Sequence, residues 1–400
     1  MNVVTAFSLI PESRAAVDEL IARLQQRIPG EPELMFVYFT APHDGQQILQ
    51  HLQQAYPATA LLGCTSCQGI MTDKGYHSAD GYALAAWALC DAAGAYGTAM
   101  AALTGDVAQV TSSVLHRALA NSGRHGELPA LIWMHASPGA EERIIAAIES
   151  ELGDSVPIVG GSAAHNLQGE SSQLLTQEGI LSEGLALAVF FPSCEVMTHF
   201  FSTYMPAGVK GVVTRANGRE LIEIDHQPAA EVYDRWTQGV LSDAQPGDYI
   251  LRQTTLFPLA RQVGQLGGIP YYKLSHPEKM GTDRSLWLFT EIDVGETVML
   301  MHGNRSGLVE KVVRSTALPL DPEPELMEQI AALNVFCAGC MLTIHPDMEQ
   351  VVTSLQTARD GVPFIGPYTF GEQGRFSGGE NAHGNLMISH VLFVKRLEEV

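Results

Sequence analysis

Basic residues are scarce in this chain. Lysine and arginine number 23 against 44 aspartates and glutamates, a formal net charge of −21. Nucleic acids and anionic membrane surfaces attract basic patches, so the balance argues against both as partners. The most apolar stretch, Gly81 to Leu103, is rich in alanine and glycine and broken by Asp91. That pattern suits two strands better than a membrane span. No basic segment leads an apolar one at the N-terminus, so no signal peptide is expected and the reading is a soluble cytoplasmic protein. Six cysteines in 400 residues make no disulfide framework, and the cytosol would keep them reduced. No G-x-x-x-x-G-K-[ST], G-x-G-x-x-G or G-x-S-x-G segment follows a strand, so neither a phosphate loop nor a hydrolase elbow is indicated. Ser137 beside His135 and Ser162 near His165 are weak nucleophile pairs, and the expectation is a protein that is not an enzyme.

What the chain does have is a repeat. Phe36 to Phe39 reads as a strand, Asp44 to Tyr56 as a helix, and Ala60 to Gly63 as a strand meeting CTSCQG. Leu131 to Met134, Glu141 to Leu152, and Val156 to Gly160 meeting GSAAHN repeat the order. Val335-Phe336, a helix near Met348, and Pro363 to Gly366 meeting PYTFGEQG make a third copy. The helices carry apolar residues at matching offsets: Ile48, Leu49, Leu52; Ile144, Ile145, Ile148; Val351, Val352, Leu355. Each copy is a βαβ unit, and each is followed by another apolar strand. With 46% hydrophobic and 17% charged residues, the chain is globular. The expected class is mixed α/β, with helices packed on mixed sheets. Two closely packed domains are expected, 1–208 and 209–400, built from repeated β-α-β-β units.

Between the second and third copies the texture changes. Asn217-Gly218 predicts a hairpin, with a helix begun by Pro228 after it. Residues 246–274 read as loop-rich, Val294-Gly295 as the turn of a second hairpin, and Pro324 to Leu333 as a helix.

The candidate chemistry clusters near the glycine turns. Cys64 with Cys67 and Cys337 with Cys340 form two Cys-x-x-Cys pairs after strands. Four thiolates would hold zinc if the repeats face each other; a redox pair and buried free thiols are the alternatives. The redox reading expects a helix directly behind the pair, whereas the third-copy helix is expected to begin about six residues after Cys340. Gln68 and Met341, not histidine, follow the pairs, which excludes c-type haem attachment. Glu372 in FGEQG, beside Gly366, Gly371 and Asn385, would suit the amine of a small polar metabolite such as an amino acid.

GCTSCQG, PIVGGSA, VTRANGRELIEIDHQPAAEVY and VPFIGPYTFGEQG followed by Asn385 together resemble the FIST sensor proteins, with both the N-terminal and the C-terminal FIST module. The resemblance runs from about residue 30 to about residue 397 and implies a ligand-sensing module. It is closest to the stand-alone NosP branch, which binds b-type haem, senses nitric oxide and acts through a partner histidine kinase or cyclic-di-GMP enzyme. Cys340, His226 and His165 depart from the family pattern, which usually has Arg, Gly and a small or acidic residue there. For haem the first candidate ligand is His383 in GGENAHGN, where flanking glycines allow close approach of a flat macrocycle. His276 is second, with His165 and His135 behind. Arg375 and Tyr368 would hold propionates, and Phe364, Phe370 and Met387 would form walls. A homodimer is compatible with this reading.

Overall fold

The computed structural model describes residues 1–28, 30–166, 170–316, 327–359 and 361–397, with only the backbone described at 266 and 311–316. Each expected βαβ unit forms. Leu34–Thr40 pairs in parallel with Ala60–Ser66, Leu131–Ala136 with Ile158–Gly161, and Met327–Cys337 with Phe364–Thr369. The crossover helices are Gly45–Ala55, Glu141–Leu152 and Met348–Ala358, and each buries the apolar positions named above. Asp44 starts the first of them, its carboxylate accepting from the backbone N–H of Gln46 and Gln47, two donors that a helix start leaves unmatched. The second has no side-chain cap and opens instead with Glu141 and Glu142, where the helix dipole favours negative charge.

A closing strand runs antiparallel beside each unit: Leu84–Cys90, Leu185–Phe191 and Met387–Arg396. It sits between the crossover strands and a leading strand, Asn2–Ser8, Ala95–Ala101 or Glu195–Ser202. The units then exchange hairpins in a ring. The hairpin of the first (Ile70–Thr72, Gly75–His77) extends the sheet of the third. That of the second (Leu174–Thr176, Gly179–Leu181) extends the first, and that of the third (Glu372–Arg375, Asn381–Gly384) extends the second. Three six-stranded mixed sheets result. They enclose one apolar core containing Phe36, Trp87, Trp133, Phe190 and Phe393. Phe36 and Trp133 meet edge-on at 5.1 Å, a favoured geometry for aromatic pairs.

The segments behind the three glycine turns interlock. Ala164 N donates to Thr65 O, Phe370 N to Ser162 O, and Cys67 N to Tyr368 O, each at 3.0 Å. Gly63 and Gly160 permit this closeness: a Cβ there would lie 1.8 Å from the carbonyl oxygen of Val37 or Met134. These glycines therefore serve contact between neighbouring strands.

Between Glu195–Ser202 and the helix Arg305–Thr316, the third unit carries an inserted eight-stranded antiparallel sheet. The third sheet takes Glu195–Ser202 and the hairpin Ile70–His77 from before residue 208, so the two halves of the sequence are interlaced. The 208/209 line falls inside strand Met205–Asn217.

Some local expectations need correction. The Asn217-Gly218 hairpin and the helix behind Pro228 are present, with Gly218 at φ 58°. Residues 259–275 are a hairpin rather than loop, turning at Gly267 and Gly268 with φ 56° and 81°. Double glycine is itself a hairpin signal. The strands flanking Val294-Gly295 do not pair: Leu286–Leu288 joins Glu220–Ile224, and Thr297–His302 joins Met205–Asn217. The helix expected at 324–333 is strand from Met327 onward; residues 324–326 lie outside the described residues. There antiparallel pairing with Met387–Arg396 overrides helix propensity. Among the described residues no helix is long and apolar enough to cross a membrane.

Candidate functional site

Two polar regions lie behind the glycine turns, one closed and one open. The closed one lies where the second and third units meet the inserted sheet. Glu141, at a helix start and fully buried, accepts from Ser162 Oγ at 2.6 Å and from Gly139 N at 2.8 Å. Arg219, from the inserted sheet, places Nη2 2.7 Å from Glu141 and 2.6 Å from Glu142. Glu142 also accepts from Glu291 N at 2.8 Å. Burial pushes the Glu141 carboxyl up, but His383, Arg219 and the Ser162 hydroxyl outweigh it and hold it at about 2. His383 does not sit in a loop, as the sequence suggested, but on strand Asn381–Gly384. Its Nδ1 is 3.1 Å from Gln373 Nε2 and its Nε2 is 3.2 Å from Phe289 O.

Several other candidates gather at this same place. Asn385 Oδ1 accepts from His276 N at 3.4 Å, and His276 Nε2 reaches Leu251 O at 3.2 Å. Burial lowers His276 to about 4. Gly371 packs on His383, since a Cβ would come within 2.5 Å of the imidazole. Glu372 is fully buried, accepting from Thr369 Oγ1 at 3.0 Å and Met387 N at 3.1 Å. Burial, then the nearby Cys337, pushes its carboxyl well up. An acid expected at an accessible turn is thus an internal one. Gly366 lies within a strand and packs on Met71. Tyr368 is buried, its hydroxyl without a partner among the described residues. Arg375 is farther along its hairpin, donating to Asp154 O.

The open region is a cleft of about 650 Å³ to which all three units contribute. Gln68 follows the first turn and Asn166 and Glu170 the second, while His345 comes from the third unit. Tyr76, Asp80 and Tyr82 line it as well. Asn166 ties the floor: its Oδ1 accepts from Gln68 N at 2.6 Å, its Nδ2 donates to Gly81 O at 3.2 Å, and its own N–H donates to Glu170 at 3.0 Å. Tyr76 OH lies 3.1 Å from His345 Nε2. Gln68 and Asp80 hold φ of 56° and 51°, a region costly for residues other than glycine. Among the described residues two carboxylates line the cleft, with no lysine or arginine.

Residues 33–227 match the FIST N domain and residues 229–375 the FIST C domain. The chain belongs to the FIST family. FIST domains are signal-transduction sensors of small ligands. No curated protein matches the chain. Among solved structures it is similar to cyanuric acid hydrolase from A. caulinodans, at 10% identity over 98% of this chain and 99% of that one, with a TM-score of 0.37. A second cyanuric acid hydrolase structure gives 8% identity over 98% and 99%, TM-score 0.32. T. maritima PurL complexed with FGAR gives 11% over 98% and 73%, TM-score 0.22. Scores this low carry nothing over to this FIST chain.

The two Cys-x-x-Cys pairs do not form one set of four thiols, because the fold sets Cys64 apart from the other three. Cys64 faces the central core, 3.6 Å from His135 Nδ1. Cys67, Cys337 and Cys340 belong to the third unit's core. Among the described residues no three cysteines come within ligating distance of one another; the group that does is Glu141, Glu142 and His383, where Arg219 already lies on both acids. A helix, Ala338–Thr343, does begin directly after Cys337, contrary to the expected gap. Burial pushes Cys67 up to about 12 and Cys337 well up, so these thiols stay protonated. His165 packs edge-on against Phe370 at 5.0 Å. Haem does not fit the residues named for it: both nitrogens of His383 are engaged, and His383, His276, Arg375 and Tyr368 do not line the cleft. The reading of the sequence missed Gln68, Asp80, Asn166 and Glu170. The run behind the first turn, Tyr76 to Tyr82, with two tyrosines flanking Asp80, was the available signal.

Proposed function

We propose that this FIST protein is a sensor without catalytic turnover, and that its cleft takes a small polar metabolite bearing an amine. The observation that carries this reading is the cleft's lining: Asp80 and Glu170 beside Tyr76 and Tyr82, with no lysine or arginine among the described residues. Carboxylates pair with an ammonium group, and tyrosine faces attract it further. Because each unit contributes to the walls, a ligand there bears on how the units sit against one another. A ligand that prefers one arrangement shifts the population toward it. A partner histidine kinase or cyclic-di-GMP enzyme in the cytoplasm would read that shift.

Thermal-shift measurements with amino acids, polyamines and simple alkylamines test the proposal, since a ligand bound only to the folded state raises Tm. We expect an amine to raise Tm in the wild type and not in the Asp80→Asn, Glu170→Gln double variant. An amine shift that survives both substitutions would remove the cleft from the account.

Haem is the second reading, favoured by one observation: the imidazole of His345 lines the cleft. In it His345, not His383, would be the ligand. A Soret band on reconstitution that is lost in His345→Ala and kept in His383→Ala would replace the amine proposal.

A further inference from the structure

We propose that the third unit holds a small monoanion, of halide size, against the buried guanidinium of Arg359. This site is separate from the cleft and independent of what the cleft binds. Arg359 follows the helix Met348–Ala358 and is 2% exposed. Its Nη2 donates to Asn334 Oδ1 at 3.0 Å, and His390 Nδ1 shares that oxygen at 2.6 Å. The face of Phe364 lies 5.5 Å from the guanidinium carbon. Among the described residues Arg359 Nε, Arg359 Nη1 and Asn334 Nδ2 have no partner.

No carboxylate forms an ion pair with Arg359 among the described residues. The contrast with Arg219 and Arg261 is direct, since each of those holds a glutamate within 3 Å. Burial lowers Arg359 only to about 10, so it stays charged at neutral pH. His390, pushed well down by burial and by Arg359, stays neutral. A cation taken out of water needs a counter-charge or donors are left unmatched. A water molecule would accept from these donors but leave the charge. An anion would answer both. The enclosure limits its size: Asn334, His390 and Phe364 are at most 3% exposed, so the proposed occupant is a small ion rather than a metabolite.

The probe is bromide. Wild-type crystals soaked in bromide should show an anomalous peak within hydrogen-bonding distance of Arg359 Nε or Nη1. In solution, Tm at constant ionic strength should be higher in chloride, bromide or formate than in gluconate, which is too large to enter. That difference should vanish in Arg359→Gln. A formate effect larger than the halide effects would make the occupant a carboxylate and overturn the halide assignment. Absence of the bromide peak, or an Arg359→Gln variant that keeps the anion dependence, overturns the site. Should Arg359→Gln fail to fold, the wild-type diffraction experiment still decides.

Discussion

The closed centre around Glu141 and the open cleft around Asn166 are built from the same kinds of residue, and they do opposite things. In the centre each acid already has donors: Ser162, Gly139 and Arg219 on Glu141, Arg219 and Glu291 on Glu142. In the cleft Asp80 is exposed and Glu170 half-buried, and the backbone at Gln68 and Asp80 is held in an unfavourable conformation. Density of polar residues is thus a poor guide to a binding site. Accessibility is a better one.

The sharpest test of this contrast removes the cation from the closed centre. Arg219→Met leaves Glu141 and Glu142 facing each other with their shared cation gone, and should cost about 3–5 kcal/mol, measured as a fall in the urea midpoint. A loss below about 1 kcal/mol would mean the centre does not fasten the inserted sheet to the body.

Next comes acid. The folded Glu141 carboxyl, at about 2 against an ordinary 4.5, contributes stability that is present above pH 4.5 and lost as pH falls toward 2. The contribution is about 3 kcal/mol. Wild type should lose that much more than Glu141→Gln across this window in pH-dependent denaturation. Glu372 runs the other way. Its raised carboxyl favours the folded state only while protonated, so its contribution falls as pH rises above 4.5. Glu372→Gln should therefore be neutral or stabilising at pH 7, by up to about 1 kcal/mol.

An effect of similar size to that of Glu141, in a higher pH window, involves His276, lowered by burial from 6.5 to about 4. It is neutral when folded, so stability present above pH 6.5 declines as pH falls toward 4. His276→Gln should flatten the stability curve between those values. Smallest of all is the open region. Asp80→Asn with Glu170→Gln should change stability by less than about 0.5 kcal/mol while removing the amine-dependent Tm shift. A large loss of stability there would mean that the cleft, too, is only structure.

The repeat was legible because it is written locally. Ile144, Ile145 and Ile148, like Ile48, Leu49 and Leu52, fix one buried helix face, and a strand such as Leu34–Thr40 declares itself by being apolar throughout. The hairpin exchange was not legible, because nothing in Ile70–Thr72 names Phe364–Thr369 as its neighbour. His383 misled for a related reason. Flanking glycine and asparagine look like a loop, but pairing with Glu372–Arg375 makes them a strand.

Hydrophobic period, caps and turn residues set the three βαβ units and the FIST membership, since those depend on residues a few positions apart. Which polar groups would be sealed and which left open was fixed only on folding. Arg219 and Glu141 lie on opposite sides of the 208/209 line, and Asn166 and His345 come from different units. Long-range contacts alone determine whether a carboxylate meets an arginine or meets water.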